Sequence, residues 1–372
     1  MNKGLRNVLH WLNLWHMGIM WVIAILLSYF KLLFYSYPES YVLSPHSAFT
    51  VNQESGPVAC IITGASSGIG KAAAEAVALK GYHVILAGRS MASLYQVAEE
   101  LQRHHKSIMV EVLVVDVSST DSIIRFVETV AKLVDDKSLS LQLLINNAGI
   151  LATTERITAE GYDSMIMTNY LGHYLLTRLL LPILQRSRVP ARIVNVGSFT
   201  HRCVKGSDHL FSLLSKRELP KNEASLKNKA YQIAHIYEAS KLFMVMFTYE
   251  LHHRLCTETP SMRITALVAD PGIVHTAIFR ELPRWFSTCI FLLLRCTWLL
   301  QSSEVGCRAV VDAAFAPLGC SAKYFFGGQG RVLATSPLSC NKQLANDLWI
   351  LSERLFSDTI LGTTIGGKNS VL

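Results

Sequence analysis

The segment VACIITGASSGIGKAAAEAVALKGYHVILAGR, residues 58–89, limits the possible folds more sharply than any other part of the chain. Its apolar run from Val58 to Ile62 ends in a glycine-rich turn. A helix-like stretch follows from Ile69 to Leu79, and a second apolar run, His83 to Ala87, follows Gly81. Strand, turn, helix and strand in that order make a βαβ unit, the setting in which a glycine motif carries information. Gly64 permits the tight turn. Gly68 and Gly70 let a pyrophosphate and the next helix come close, and the helix N-terminus favours phosphate charge. The second strand ends in AGRS, with no carboxylate to hold a ribose 2′-hydroxyl. Arg89 there could meet a 2′-phosphate bidentately or stand as a surface arginine at a strand end. The first reading prefers NADP(H), and Ala87 and Gly88 leave room for NAD(H) as well.

The alternation continues. Apolar runs at 111–116, 141–149, 191–198, 262–272 and 323–328 read as further strands, with helix-like stretches at 91–106, 119–136 and 161–187. This is the pattern of an α/β fold, a Rossmann-type doubly wound parallel sheet of about seven strands. Functional residues in such a sheet gather at the carboxyl ends of the strands. Later in the chain, Tyr237 and Lys241 stand four apart in the run NKAYQIAHIYEASKLFMVMFTYELHH. On a helix they share one face. The spacing fits an ordinary amphipathic helix, and equally a proton donor tuned by a neighbouring ammonium. A free tyrosine has a pKa near ~10, too high for a ready base at neutral pH, and a nearby positive charge favours the phenolate.

In order along the chain, TGASSGIG at 63–70, NNAG at 146–149, Asn169, the Ser198 segment, YEASK at 237–241 and DPG at 270–272 resemble the short-chain dehydrogenase/reductase family. The resemblance runs from about residue 57 to 328. The succession VNVGSFTH, Tyr-x-x-x-Lys, DPGIVHTAIF is similar to the retinol dehydrogenase branch, with its polyprenol-dehydrogenase-like and plant shoot-development oxidoreductase relatives. The resemblance implies a catalytic group of Asn169, Ser198, Tyr237 and Lys241. Tyrosine exchanges a proton with the substrate oxygen, and lysine lowers the tyrosine pKa and binds the nicotinamide ribose. Serine orients the carbonyl or alcohol, and asparagine supports a water in the relay. By the same mapping the cofactor meets Gly64, Ser66, Gly68, Ile69, Gly70, Arg89, Asp116, Val117, Asn147, Gly149 and Thr276, besides Tyr237 and Lys241, with Asp116 at the adenine amino group. No metal is implied. Two features depart from the family: Gly197 replaces the usual serine before Ser198, and the stretch from Ser198 to Tyr237 is long. The extra segment, about 201–230, is polar and basic between short apolar patches. It reads as an insertion beside the substrate mouth or as an inert surface loop.

Ahead of this domain, WLNLWHMGIMWVIAILLSYFKLLFY at 11–35 carries no charge from Met17 to Phe30. It is long enough to cross a bilayer, with Trp11, Trp15, Tyr29 and Tyr35 suited to its interfaces. No small-residue cleavage site follows a short apolar core, so a signal peptide fits poorly. Residues 1–35 therefore read as a single-pass membrane anchor, span roughly 14–34, or else as an N-terminal helix buried in the domain. Lys3 and Arg6 before the span argue for a cytoplasmic N-terminus and a lumenal domain; the lack of an N-x-S/T sequon argues against it. The endoplasmic reticulum is the expected membrane. A polar linker, 36–56, leads to an oxidoreductase domain at 57–335, and 336–372 form a C-terminal helix and tail.

The formal charge of +8 is scattered, without zinc-finger spacing, an RNP-like aromatic run or a dense basic block, which excludes nucleic acid. It suits an anionic membrane surface or cofactor. The eight cysteines form no CxxC pair and read as mostly free core thiols, Cys60 as a strand-core filler. A second apolar stretch, RWFSTCIFLLLRCTWLLQSS at 284–303, is interrupted by Arg295. Burying that charge mid-bilayer costs about 3 kcal/mol or more. The stretch is a core helix, or a flap lying on the bilayer that feeds an apolar substrate into the cleft. Together these features describe a membrane-anchored oxidoreductase that interconverts a lipophilic alcohol and its aldehyde or ketone, of retinoid, polyprenol or sterol-like kind. A homodimer is compatible with this. The rival is a non-catalytic nucleotide-binding scaffold, which a missing tyrosine or lysine would support; both residues are present.

Overall fold

The computed structural model describes residues 3–34, 56–217, 231–258, 264–297 and 299–357. Nearly all of the 36–56 linker, the 218–230 part of the insertion, Trp298 and the tail from 358 lie outside the described residues.

The strands are β1 (Val58–Thr63), β2 (His83–Gly88), β3 (Met109–Val114), β4 (Ser140–Asn146), β5 (Ala191–Val196), β6 (Ile264–Asp270), β7 (Ile273–Val274), β8 (Leu300–Gln301) and β9 (Tyr324–Phe326). Seven of them form one sheet in the order β3-β2-β1-β4-β5-β6-β9, every pair parallel. The central strands are unbroken apolar runs because both faces are covered. In β1, Ala59 and Ile61 enter one core, while Val58, Cys60 and Ile62 enter the other. Helices α2 (Gly68–Ala78), α3 (Met91–His104) and α9 (Ser303–Phe315) cover the second face. The first is covered by α4 (Thr120–Asp136), α6 (Gly172–Gln185), α7 (Ile233–Glu258) and α10 (Lys342–Leu355). The strand order reverses between β1 and β4, which opens a crevice at their carboxyl ends.

Two expectations shift, and one small ladder is new. The third strand ends at Val114 rather than at Asp116, so Asp116 lies in the following turn. The expected helix 161–187 is α5 (Ser164–Ile166), a π turn Met167–Leu171, and then α6. The two-residue ladder β7–β8 is too short for any periodicity to announce it. Of the eight free cysteines, Cys60, Cys307 and Cys320 are buried, but Cys256, Cys289, Cys296 and Cys340 are exposed. The core reading holds for the first three only.

The apolar N-terminal segment is one helix, α1 (Lys3–Phe34), of which Leu14–Leu32 is long and apolar enough to cross a membrane. Yet Leu14, Met17, Trp21, Ala24, Ile25 and Ser28, three or four apart on one face, are buried against the domain. Trp15, Ile19, Ile23, Leu26, Leu27 and Phe30 point outward and are exposed. The inner face bears out the buried-helix alternative, and the outer face keeps a row of apolar side chains exposed. The stretch 284–303 begins as α8 (Arg284–Cys296), with Leu294 buried and Trp285, Leu292 and Leu293 exposed. Trp15 and Trp285 bring the two outer faces together, their rings 6.4 Å apart.

The described ends of the insertion converge on the loop at 155–163. Arg217 donates its amide to the Gly161 carbonyl at 2.7 Å and pairs through its guanidinium with Glu155. Tyr231 donates its hydroxyl to Asp163 at 2.9 Å. Leu210, Leu213 and Leu214 are buried, so the part before Arg217 belongs to the core.

Candidate active site

The nucleotide end is built from the turns after β1 and β4. The Thr63 hydroxyl accepts the amides of Asn147 and Ala148 at 2.9 and 3.0 Å, and the Asn147 carboxamide donates to the Thr63 carbonyl at 2.8 Å. Gly64 adopts φ +68°, and a Cβ on it would fall 2.9 Å from the Ala148 Cα. A Cβ on Gly70 would fall 2.3 Å from the Gly64 carbonyl oxygen, so only glycine lets α2 start this close to β1. The first turn of α2 has no acidic residue, and its N-terminus opens on the cleft ready for an anion.

All the cofactor residues expected from the sequence converge here. Gly64, Ser66, Gly68, Ile69 and Gly70 line the cleft beside Arg89 from the end of β2. Asp116 and Val117 follow β3, Asn147 and Gly149 follow β4, and Thr276 closes the same cleft from beyond β7. The Asp116 carboxylate is aimed by the amide and hydroxyl of Ser118, at 2.9 and 2.6 Å. This donor set fits a nicotinamide dinucleotide.

Ser198, Tyr237 and Lys241 line the far end of the same cleft. Ser198 caps a 3-10 turn, Phe199–Cys203, its hydroxyl accepting from the Thr200 amide and hydroxyl at 3.3 and 3.0 Å. Buried His201 locks that turn. Its Nε2 accepts the Ser336 amide at 3.2 Å, so Nδ1 carries the proton and donates to the Ser198 carbonyl at 2.7 Å. Burial pulls the ring down to about 3 and keeps it neutral. Burial, and then the charge of Asp270, push Tyr237 above the usual tyrosine range, while the Ser198 hydroxyl draws it back. Lys241 donates to the Val196 carbonyl at 3.0 Å, and burial pulls it down to about 8 against the opposing pull of Asp270. Its Nζ lies 5.9 Å from the centre of the Tyr237 ring. Burial therefore governs both groups more than their mutual tuning does. Asp270 itself is buried and accepts from the Tyr324 hydroxyl and the Gly272 amide.

Asn169 stands behind the cleft. It sits in the π turn, fully buried, and accepts the Ile150 amide at 2.8 Å while donating to the Ile150 carbonyl and Ser240 Oγ at 3.0 and 3.1 Å. Its carboxamide fixes the strand exit after Gly149. Beyond Ser198 and Tyr237 the walls turn apolar, with Leu151, Phe199, Phe279 and Leu282 facing Ile290, Phe291 and Leu294 of α8. Sequence reasoning gave no individual role to His201, Asp270 or Glu238, and held the inner face of α1 only as an alternative to the anchor. For α1 a signal existed in Trp21, whose indole N–H needs a partner wherever it is buried.

A parallel sheet with a glycine turn at its switch point and a Ser, Tyr and Lys set at the far end of one cleft defines an NAD(P)-dependent oxidoreductase acting on CH–OH groups. The chain belongs to the short-chain dehydrogenase family. The family's sequence profile, described as short chain dehydrogenase, matches residues 58–207. Human polyprenol dehydrogenase is 33% identical over 296 residues, covering 78% of this chain and 82% of its own. Mouse retinol dehydrogenase 12 is 31% identical over 339 residues, 90% of this chain and 97% of its own. Human WW domain-containing oxidoreductase is 33% identical over 304 residues, 81% and 68% of the two chains. Among solved structures, an uncharacterised Mycobacterium paratuberculosis protein superposes with a TM-score of 0.59 at 28% identity, covering 84% of this chain and 97% of its own. An NADPH-bound carbonyl reductase from chicken fatty liver shares the fold at 19% identity, with a TM-score of 0.52 over 75% and 99% of the two chains.

Proposed function

We propose that this protein interconverts a lipophilic alcohol and its aldehyde or ketone at a membrane, with NADP(H) as the preferred nucleotide. The observation that carries this reading is the change of polarity along the cleft: beyond the Ser, Tyr and Lys set, Leu151, Phe199, Phe279, Leu282, Ile290, Phe291 and Leu294 outnumber the polar Arg280 and Ser287. Asp116 holds the adenine, the N-terminus of α2 the pyrophosphate, Arg89 the 2′-phosphate and Lys241 the nicotinamide ribose. When bound, the nicotinamide supplies or accepts hydride. The Ser198 hydroxyl holds the substrate oxygen. Tyr237 gives that oxygen a proton on reduction and takes one on oxidation. Asn169 acts from behind, by fixing the Ile150 backbone.

Residues 57–335 form the catalytic unit in this reading, and 1–35 hold it to the endoplasmic reticulum membrane through a single helix. The exposed apolar faces of α1 and α8 support the membrane contact. The docked inner face of α1 favours a helix lying along the interface over one crossing the bilayer. The similarity to polyprenol and retinol dehydrogenases supports a retinoid, polyprenol or sterol-like substrate. The test is turnover by the detergent-solubilised full chain with NADPH and with NADH, offered retinal, a polyprenal and steroid ketones. NADPH-dependent reduction of a long apolar carbonyl is expected. Tight nucleotide binding without turnover of any of them would make the protein a nucleotide-binding scaffold instead.

A further inference from the structure

Trp21 lies where an anchor residue has no reason to be. Its ring is 5.3 Å from the Tyr237 ring at an interplanar angle of 41°. Its indole Nε1–H donates to Glu238 Oε1 at 2.7 Å. Glu238 is the neighbour of Tyr237 in sequence, is nearly buried, and is lifted by that burial to about 7. Met17, Gly18 and Val22, around Trp21 on the same helix, line the same cleft. Further along α1, Tyr29 packs edge-on against Phe326 at 5.2 Å and accepts from Gln301 Nε2 at 2.7 Å. Helix α1 is thus fixed to the domain at two points, at Tyr237 and Glu238 through Trp21 and at Phe326 and Gln301 through Tyr29.

We propose that α1 is one wall of the substrate channel, and that Trp21 is a positioning residue for Tyr237. A helix that only tethers the domain has no need of a polar contact with it. Here the Trp21 indole donor meets a buried carboxylate, and either group left alone would be costly to bury. The contact keeps the Trp21 ring beside the Tyr237 ring. The channel then runs between Met17, Gly18 and Val22 on α1 and Ile290, Phe291 and Leu294 on α8. At its rim Trp15 meets Trp285. A ligand entering between the two helices crosses apolar surface until its oxygen reaches Ser198 and Tyr237. This matches a molecule with one oxygen at the end of a long apolar body. The substrate class rests on the oxidoreductase reading above; the contact between α1 and α7 does not.

The experiment uses the full chain in detergent micelles and two readouts. Benzoylphenylalanine placed at position 21 should photo-crosslink to the peptide spanning 233–241, whatever the enzyme turns over. In kinetics, Trp21→Ala should lower kcat on the order of 10-fold or more, for a short ketone and a long-chain carbonyl alike, with nucleotide Kd unchanged. It should also raise KM for the long substrate alone. Trp21→Phe, which keeps a ring beside Tyr237 but loses the donor to Glu238, should recover only part of kcat. Ile23→Ala, on the outward face of the same helix, should change neither constant. Crosslinks to detergent only would overturn the proposal, as would wild-type constants in Trp21→Ala. Equal loss of nucleotide binding and kcat in both Trp21 variants would do the same, since it would reduce Trp21 to a packing residue. A crosslink to α7 without turnover of any carbonyl would support the wall and sink the proposed chemistry.

Discussion

Lys241→Met exchanges a buried ammonium for a neutral chain of similar length. In the folded protein the lysine titrates at about 8, against an ordinary 10.5, chiefly because it is buried. That gap disfavours the charged form by about 3 kcal/mol. The unfolded chain takes up this proton once the pH falls below about 10.5, and the folded chain only below about 8. The cost to folding is therefore absent above the upper value and complete below the lower one, and wild-type stability should rise with pH across that window. Methionine removes the cost. It also removes the hydrogen bond to the Val196 carbonyl, worth about 1 kcal/mol. At pH 7, without nucleotide, the variant should be more stable by about 2 kcal/mol, the difference between these two effects. Urea unfolding of the detergent-solubilised protein, followed by tryptophan fluorescence at pH 7 and pH 10, measures it. The advantage should shrink towards zero at the higher pH, and turnover should be lost at both. A variant less stable than the wild type at pH 7, or a difference that ignores pH, would refute the reasoning.

Three further outcomes are expected. Tyr237→Phe should bind nucleotide normally and lose about 10²- to 10⁴-fold in turnover, the usual worth of a positioned acid/base; near-normal steady-state rates would remove Tyr237 from the chemistry. Arg89→Ala should weaken NADPH on the order of 10-fold more than NADH in calorimetric titration, through loss of charge-assisted hydrogen bonds to the 2′-phosphate. Equal weakening of the two nucleotides would reject that role. Leu292 and Leu293 are 59% and 55% exposed. Changing both to Asp should leave reduction of a short water-soluble ketone intact and cut co-sedimentation with phospholipid vesicles; unchanged sedimentation would exclude α8 from membrane contact.

The sheet was legible because burial on both faces leaves runs such as VACIIT without alternation, and parallel strands then alternate with amphipathic helices. The site was legible because its motifs sit at strand ends, which the topology gathers into one crevice. The misplaced end of β3 has a plain cause. Its apolar run continues to Val115, but its pairing partner stops, with Gly88 opposite Val114. The π turn around Asn169 leaves no periodic trace, so a single long helix was the natural reading. His201 falls in a segment that reads as a polar insertion, and only the fold brings Ser336 to it. The sequence leaves the docking of α1 as one of two alternatives for a deeper reason. Hydropathy marks a surface that avoids water, but it does not say whether lipid or protein covers that surface. The spacing of Leu14, Met17, Trp21, Ile25 and Ser28 separates the inner face only once the domain is seen against it.

The position of α1 also sets an order of events during synthesis. Trp21 is made 217 positions before Glu238, and Tyr29 272 positions before Gln301. The helix therefore leaves the ribosome long before these partners exist, and its docking must wait for them. Closing so long a loop costs only slightly more than closing a short one, so the distance delays the contact without much weakening it. Meanwhile the apolar inner face of a nascent chain needs cover from a bilayer or a chaperone, as unfinished hydrophobic surfaces generally do. A chain interrupted before α8 would carry the nucleotide turn and even the tyrosine, yet lack the wall formed by Ile290, Phe291 and Leu294. The lining of the cleft is therefore complete only once α8 has been made.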